Sequence, residues 1–147
     1  MTAKEFLRQY EEADKKARLL KAEYDAECLL IDAIRSSSDN DGMPHGNSIG
    51  RPTEEKAIRL MDKAVRWRAA ELKAIETRQA VFDVISEIEG VPGEVLYHRF
   101  ILLESWDVVC DSVNYTWPTV RKYWHKGESI VEEKINTRCY NHISDIL

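Results

Sequence analysis

The sequence predicts an all-α fold: a long N-terminal helical hairpin, coiled-coil-like, followed by a C-terminal helix-turn-helix module. Three observations predict it. Apolar residues recur at three- and four-residue steps, with no alternating stretch that would make a strand. The 4 prolines and 6 glycines cluster mostly at residues 42–52 and 90–93, leaving long uninterrupted segments between them. Residues 105–127 carry the punctuation of two short helices joined by a tight turn. Residues 1–90 are thus read as the hairpin, with a loop at 36–52, and residues 91–147 as the module.

The first helix is expected over residues 3–35. Phe6, Tyr10, Ala13, Ala17, Leu20, Tyr24, Ile31 and Ile34 follow the heptad spacing of a coiled-coil seam, with Glu27 at its one polar position. Leu7, Leu19, Cys28, Leu29 and Leu30 widen that stripe, so a second covered surface is expected. Such a seam serves a hairpin within one chain and a dimer equally well.

Residues 36–52 read as a loop, rich in serine, Asp-Gly and proline. Asp39, Asp41 and Gly42 resemble half of a calcium loop. Ser37 and Ser48 stand where its first and twelfth ligands need carboxylates, which excludes that reading. Thr53, Glu54 and Glu55 then start a second helix, the acids suiting its positive N-terminal end. Ile58, Met61, Val65, Leu72, Ile75, Phe82 and Ile85 are expected to carry its buried stripe, with Ala69 and Ala80 allowing close approach. Arg59, Lys63, Arg66, Arg68 and Lys73 form a basic side around Trp67: a solvated face, or a second contact to a nucleic-acid backbone. Two helices of similar length joined by a loop predict an antiparallel hairpin.

Gly90-Val-Pro-Gly93 breaks the pattern. A short helix with Val95, Leu96, Phe100 and Ile101 follows and packs under the next two. In the first of those, Ser105 is the expected N-cap. Val108, Val109 and Val113 supply an apolar face, with Cys110 at the close crossing. Asn114 stands where the chain turns and tolerates the left-handed conformation. Tyr115 and Thr116 precede the second helix, which has Pro118 in its first turn, where a missing N–H costs nothing. Val120, Trp124 and Gly127 face inward. Arg121, Lys122, His125 and Lys126 point outward, and no acid falls between Trp117 and Gly127. An αα-hairpin of any helical protein shares the caps and the apolar face. The turn spacing together with an acid-free basic second helix points to a recognition helix for the DNA major groove. After Gly127, Ile130, Val131 and Ile135 extend this helix or start another, and Ile143, Ile146 and Leu147 form an amphipathic tail.

The net charge of −5 runs against DNA binding until it is resolved along the chain. Residues 51–78 hold eight basic and five acidic residues, and residues 117–127 hold three basic and none acidic. Acidity elsewhere lowers non-specific affinity without abolishing a local basic face. A binder with several points of contact, and hence a homo-oligomer, is expected.

From Pro92 to Val131 the chain resembles sigma-factor region-4-like helix-turn-helix modules. The likeness rests on Leu96-Tyr-His-Arg-Phe-Ile101, Ser105-Trp106, Tyr115-Thr116 and Thr119-Val120. With the long first helix and the Asp-rich loop leading to Pro52-Thr53-Glu54, nearly the whole chain resembles phage and prophage late-gene regulators of the ArpU and RinA type. The resemblance implies sequence-specific binding to duplex DNA and activation of late genes, with RNA polymerase as a further partner. Thr116, Trp117, Thr119, Arg121, Lys122, His125 and Lys126 are the DNA-binding set. Arg121 suits a bidentate contact to guanine; Lys122 or Lys126, a phosphate; Thr119, a phosphate or a thymine methyl. Trp117 and Pro118 depart from the polar residues usual in the family, and Trp117 fits the sugar-phosphate wall better than a base edge. Tyr123 and Trp124 are read as core.

Catalysis is not expected. Cys139-x-x-His142 is a single pair where a metal site needs four ligands, so no metal or other cofactor is expected. His45, His98 and His125 lack an acid arranged for general-base work, and no phosphate-binding glycine loop or nucleophile motif is present. Three widely spaced cysteines fit a reducing cytoplasm. A charged N-terminal segment and the lack of a long apolar run predict neither a signal peptide nor a membrane span. Two readings from other classes stay open: a DNA-packaging protein like a terminase small subunit, and a helical protein-interaction module that binds no DNA.

Overall fold

In the computed structural model the chain is described over residues 1–38 and 51–144, with side chains over 1–34 and 54–138. The fold is all-α: α1 (Ala3–Ser38), α2 (Arg51–Ile85), α3 (Val91–Leu96), α4 (Trp106–Val113) and α5 (Trp117–Ser144). A π-helical turn at Tyr97–Ile101 continues α3. No strand occurs among the described residues. Helix thus occupies Ser36–Ser38 and Arg51–Pro52, both expected in the loop; the rest of that loop, 39–50, lies outside the described residues. The second helix ends at Ile85, five residues before Gly90. The tail beyond Ser144 and the side chains of Cys139 and His142 also lie outside the description.

Helix α1 opens on a capping box that the sequence reading missed. The N–H of Thr2 donates to Glu5 Oε2 at 2.8 Å, and the N–H of Glu5 donates to Thr2 Oγ1 at 3.3 Å. The bond from the Thr2 N–H holds the Glu5 carboxyl below its ordinary pKa.

Two compact units emerge from the packing: residues 13–73, and residues 1–12 together with 74–147. The first is the hairpin. Tyr24 stacks on Trp67 with ring centroids 5.5 Å apart, and Lys63 Nζ lies 3.0 Å from Glu27 Oε2. Moving forward along α1 moves backward along α2, so the pair is antiparallel. The polar seam position Glu27 therefore has an ionic partner, and Lys63 belongs to the seam instead of the solvated basic side.

Of the stripe expected for α2, Phe82 and Ile85 are packed, in the second unit, and Ile75 is 60% exposed; the hairpin seam does not use the rest. Leu60, Ala64 and Trp67 are half-buried toward α1, whereas Ile58, Met61, Val65 and Leu72 are 57–69% exposed. Ala69 and Ala80 are exposed as well. Two rows with heptad spacing run along this helix, and periodicity cannot say which one a neighbour covers. The row with larger side chains is the open one. On α1 the expected seam residues Ala17, Leu20, Tyr24 and Ile31 are buried or half-buried, while Ile34, Leu19, Leu29 and Leu30 are exposed.

The second unit has two apolar clusters. Ala3, Leu7, Val81, Val84, Ile85, Ile88, Leu96, Phe100, Ile101 and Val131 form one; Val95, Val109, Val113 and Val120 form the other. Trp124 packs against both. Leu7, read as the margin of a stripe, is fully buried, because Ala3 and Leu7 dock α1 onto the end of α2. Gly90, the N-cap of α3, sits at φ 81° within this unit. Gly93 is buried against Ile88, where a β-carbon would collide with the backbone carbonyl.

Candidate nucleic-acid interface

Helices α4 and α5 with the turn between them form the helix-turn-helix. Asn114 adopts φ 57° and ψ 39°, the left-handed conformation its position calls for. Its N–H donates to the Asp111 carbonyl at 3.4 Å, and the Tyr115 N–H donates to that of Cys110 at 3.2 Å. These are the two bonds of a Schellman motif, which satisfies the last carbonyls of α4 as the chain reverses. Two residues later α5 begins, and the Thr116 carbonyl accepts the N–H groups of Thr119 and Val120 at 3.0 Å. Ser105 holds the extended N-cap conformation ahead of α4, but its hydroxyl makes no capping bond. Only its carbonyl is used, by the Val109 N–H at 3.0 Å.

Val109 and Val120 are fully buried and Val113 nearly so, with Val95 of α3 closing the cluster. Val108, expected on the apolar face, is 45% exposed, because one residue along a helix is 100° around it and Val109 takes the inward place. Cys110 packs against the cluster, and burial pushes its thiol above the ordinary value, with Asp107 and Asp111 adding to the shift. Tyr123 and Trp124 are half-buried in the same packing, as core residues. Gly127 is buried where α5 crosses α3.

An aromatic wall, not foreseen from sequence, supports the start of α5. The Trp106 ring lies 4.6 Å from that of Trp124 and 5.2 Å, edge-on, from that of Trp117. The Arg99 guanidinium sits 5.5 Å from the Trp106 ring, donates to the Glu104 carbonyl at 3.2 Å and lies 3.8 Å from the Glu11 carboxylate. His98 Nδ1 lies 2.9 Å from Glu104 Oε2. Together these contacts fix the loop before α4, where Leu103 holds a φ of 55°.

Along α5, Trp117, Arg121, Lys122, His125 and Lys126 are exposed and Thr119 is half-buried; Thr116, just before the helix, is exposed too. At 100° per residue, Lys122 lies opposite the inward row of Val120, Trp124 and Gly127, with His125 and Lys126 about 50° to either side of it. Arg121 falls on one flank of that face; Thr119 and Lys126 fall on the other. No ion pair among the described residues involves Arg121, Lys122 or Lys126. His125 stacks on Trp124 and its Nδ1 lies 3.4 Å from Glu128 Oε2, so the first acid after the basic run turns back onto it. Trp117 is 41% exposed with its ring braced on Trp106, a flat apolar surface at the edge of the basic face. Arg59, Arg66 and Arg68 of α2 are exposed, with Arg66 paired to Asp62 at 3.1 Å and Arg68 to Glu71 at 3.3 Å.

No family model, curated protein or solved structure matches this chain. Among the described residues no group of three or more His, Cys, Asp or Glu side chains is placed to hold a metal ion. No described helix is long and apolar enough to cross a membrane.

Proposed function

We propose that this protein is a sequence-specific duplex-DNA-binding transcription regulator that acts in a bacterial cytoplasm and activates phage late genes. It acts by binding, without catalysis or a cofactor, and its recognition element is the start of α5 with the preceding Thr116. One observation carries the reading. A tight left-handed turn sets α5 on α4 so that Arg121, Lys122, His125 and Lys126 share an outward face, and no acid among the described residues pairs with its lysines and arginine. Cations held on a rigid helix, already free of internal partners, lose little on meeting phosphates and base edges. In this reading Lys122 and His125 enter the groove first, Arg121 reads guanine from the flank, and Thr119 and Lys126 meet the backbone. Trp117 leans on the sugar-phosphate wall.

A DNA-packaging initiator is the second reading, favoured by the uncovered apolar rows on the hairpin, which suit a multimeric assembly. Binding of the purified protein to short duplexes tiled across its neighbouring genome tests both. The proposal expects one tightly bound tile, poorly competed by random DNA and lost in Arg121→Ala/Lys122→Ala. A tile upstream of a gene supports the regulator, and one inside a packaging site supports the initiator. Weak, uniform binding that ignores the double substitution removes the recognition-helix assignment.

A further inference from the structure

The hairpin leaves two apolar rows uncovered. On α2, Ile58, Met61, Val65 and Leu72 are 61, 69, 65 and 57% exposed. Their spacing is the heptad spacing of a helix seam, a second seam on a helix whose first already faces α1. On α1, Leu19 and Leu29 are 67 and 70% exposed and are joined at the same spacing by the exposed Ala22 and Ala26. Leu30, 60% exposed, borders this row. An apolar side chain of this size carries on the order of 100 Å², so the two rows together leave roughly 500 Å² or more of apolar surface on each copy. That matches the largest patches of ordinary monomers, about 300–600 Å², which are often interaction sites. A pair covering both rows approaches the lower bound of a stable interface, about 1,200 Å² in total.

Charge selects what covers them. Residues 22–34 of α1 contain four acids and no base, whereas residues 56–68 of α2 contain five bases and one acid. Glu27 and Lys63 are spent on each other within the seam, and Arg66 and Arg68 pair with Asp62 and Glu71 of α2 itself. Pairing α2 with another α2 sets two basic segments face to face, and pairing α1 with another α1 sets two acidic ones. Only α1 against α2 brings opposite charges together. Size agrees: the α2 row is made of bulky side chains, and the α1 row has alanines between its leucines, so knobs meet holes.

We propose that a second copy of this chain covers the α2 row, docking the outer face of its α1 (Leu19 to Leu30) along Ile58 to Leu72. The contact holds two copies together through their hairpins. It stands independently of the DNA-binding reading.

Two variants test it, each changing only exposed side chains: Leu29→Lys/Leu30→Lys breaks the α1 face, and Met61→Lys/Val65→Lys breaks the α2 face. Molar mass by sedimentation equilibrium, with helicity checked by circular dichroism, is the readout. The wild-type chain is expected at a multiple of 17.0 kDa, and each variant alone falls at least twofold, to the monomer. Mixing the two variants restores one intact α1 face opposite one intact α2 face, so the mixture recovers a dimer. A wild-type chain that stays monomeric at all concentrations overturns the proposal. So does a variant that keeps the wild-type mass, or a mixture that remains monomeric.

Discussion

A β-carbon placed on Gly127 would stand 2.8 Å from Cδ1 and 3.0 Å from Cγ of Leu96. Helix α5 therefore crosses α3 at a separation that glycine alone admits without displacing its neighbour. The crossing fixes the rotation of α5, and with it the direction in which Arg121 to Lys126 point. Stability and the candidate DNA-facing surface meet at this one contact.

Gly127→Ala is expected to destabilise the fold by about 1–3 kcal/mol, the range for an extra methyl forced into a packed interior. Because the obstacle is the end of a side chain, shortening Leu96 relieves it. Denaturant unfolding of Gly127→Ala, Leu96→Ala and the double variant measures the coupling. The double variant should cost clearly less than the sum of the two singles; simple additivity would mean that the two residues do not meet.

Asn114 separates backbone demand from side-chain chemistry. Its left-handed conformation costs most L-residues about 1–2 kcal/mol, and glycine nothing of that kind. Asn114→Val should lower stability by about that amount, while Asn114→Gly stays close to the wild type, since glycine is the usual residue at this position. Urea midpoints at constant m-value check both. Equal losses in the two variants would show that the Asn side chain, rather than the turn, matters here.

Inside the hairpin seam, Glu27 and Lys63 are 22 and 34% exposed at 3.0 Å. Solvent screening limits such a pair to a coupling of about 0.5–1 kcal/mol in a double-mutant cycle. Glu27→Gln and Lys63→Met, singly and together, give that value from thermal or chemical unfolding. It should shrink at high salt, whereas the Tyr24–Trp67 stack should not respond to salt.

Glu87 predicts a pH dependence. Its hydrogen bond from Lys134, and then the charges of Lys134 and Arg138, hold its carboxyl below the ordinary value of 4.5. A carboxyl with a lowered folded-state pKa stabilises the fold above its unfolded pKa, and this is lost as pH falls through the folded one. The stability gap between wild type and Glu87→Gln should thus be present at pH 6 and close progressively below about pH 4.5. A gap that widens on acidification would contradict the assignment. High salt should narrow it at pH 6, since the groups are exposed.

The helix-turn-helix was legible because its punctuation constrains the backbone locally. A left-handed turn at Asn114, a proline in the first turn of α5 and a glycine at a close crossing leave few alternatives. The hairpin was legible as a hairpin and not as a seam. Helix α2 carries two heptad rows, and Ile58, Met61, Val65 and Leu72 look more like core than Leu60, Ala64 and Trp67 do, yet the second set faces α1. Choosing between them needs the partner helix, which pattern alone does not supply. The π-helical turn and Leu103 were hidden because no local sequence preference announces them; His98 and Arg99 meet Glu104 around them, and Arg99 also reaches the distant Glu11. The aromatic wall was missed because Trp106 and Trp117 are eleven positions apart and become neighbours only once the turn is made.

Two charge-removing variants measured on one duplex test the central claim most directly. The recognition-helix account predicts that Arg121→Ala/Lys122→Ala weakens binding to the preferred tile about tenfold or more, as expected for a lost base contact and a lost phosphate contact. It predicts a shallower dependence on salt as well. Arg59→Ala/Arg66→Ala on α2 should leave affinity nearly unchanged. The reverse pattern, with binding lost on α2 and kept on α5, would contradict the claim and move the DNA contact to the hairpin.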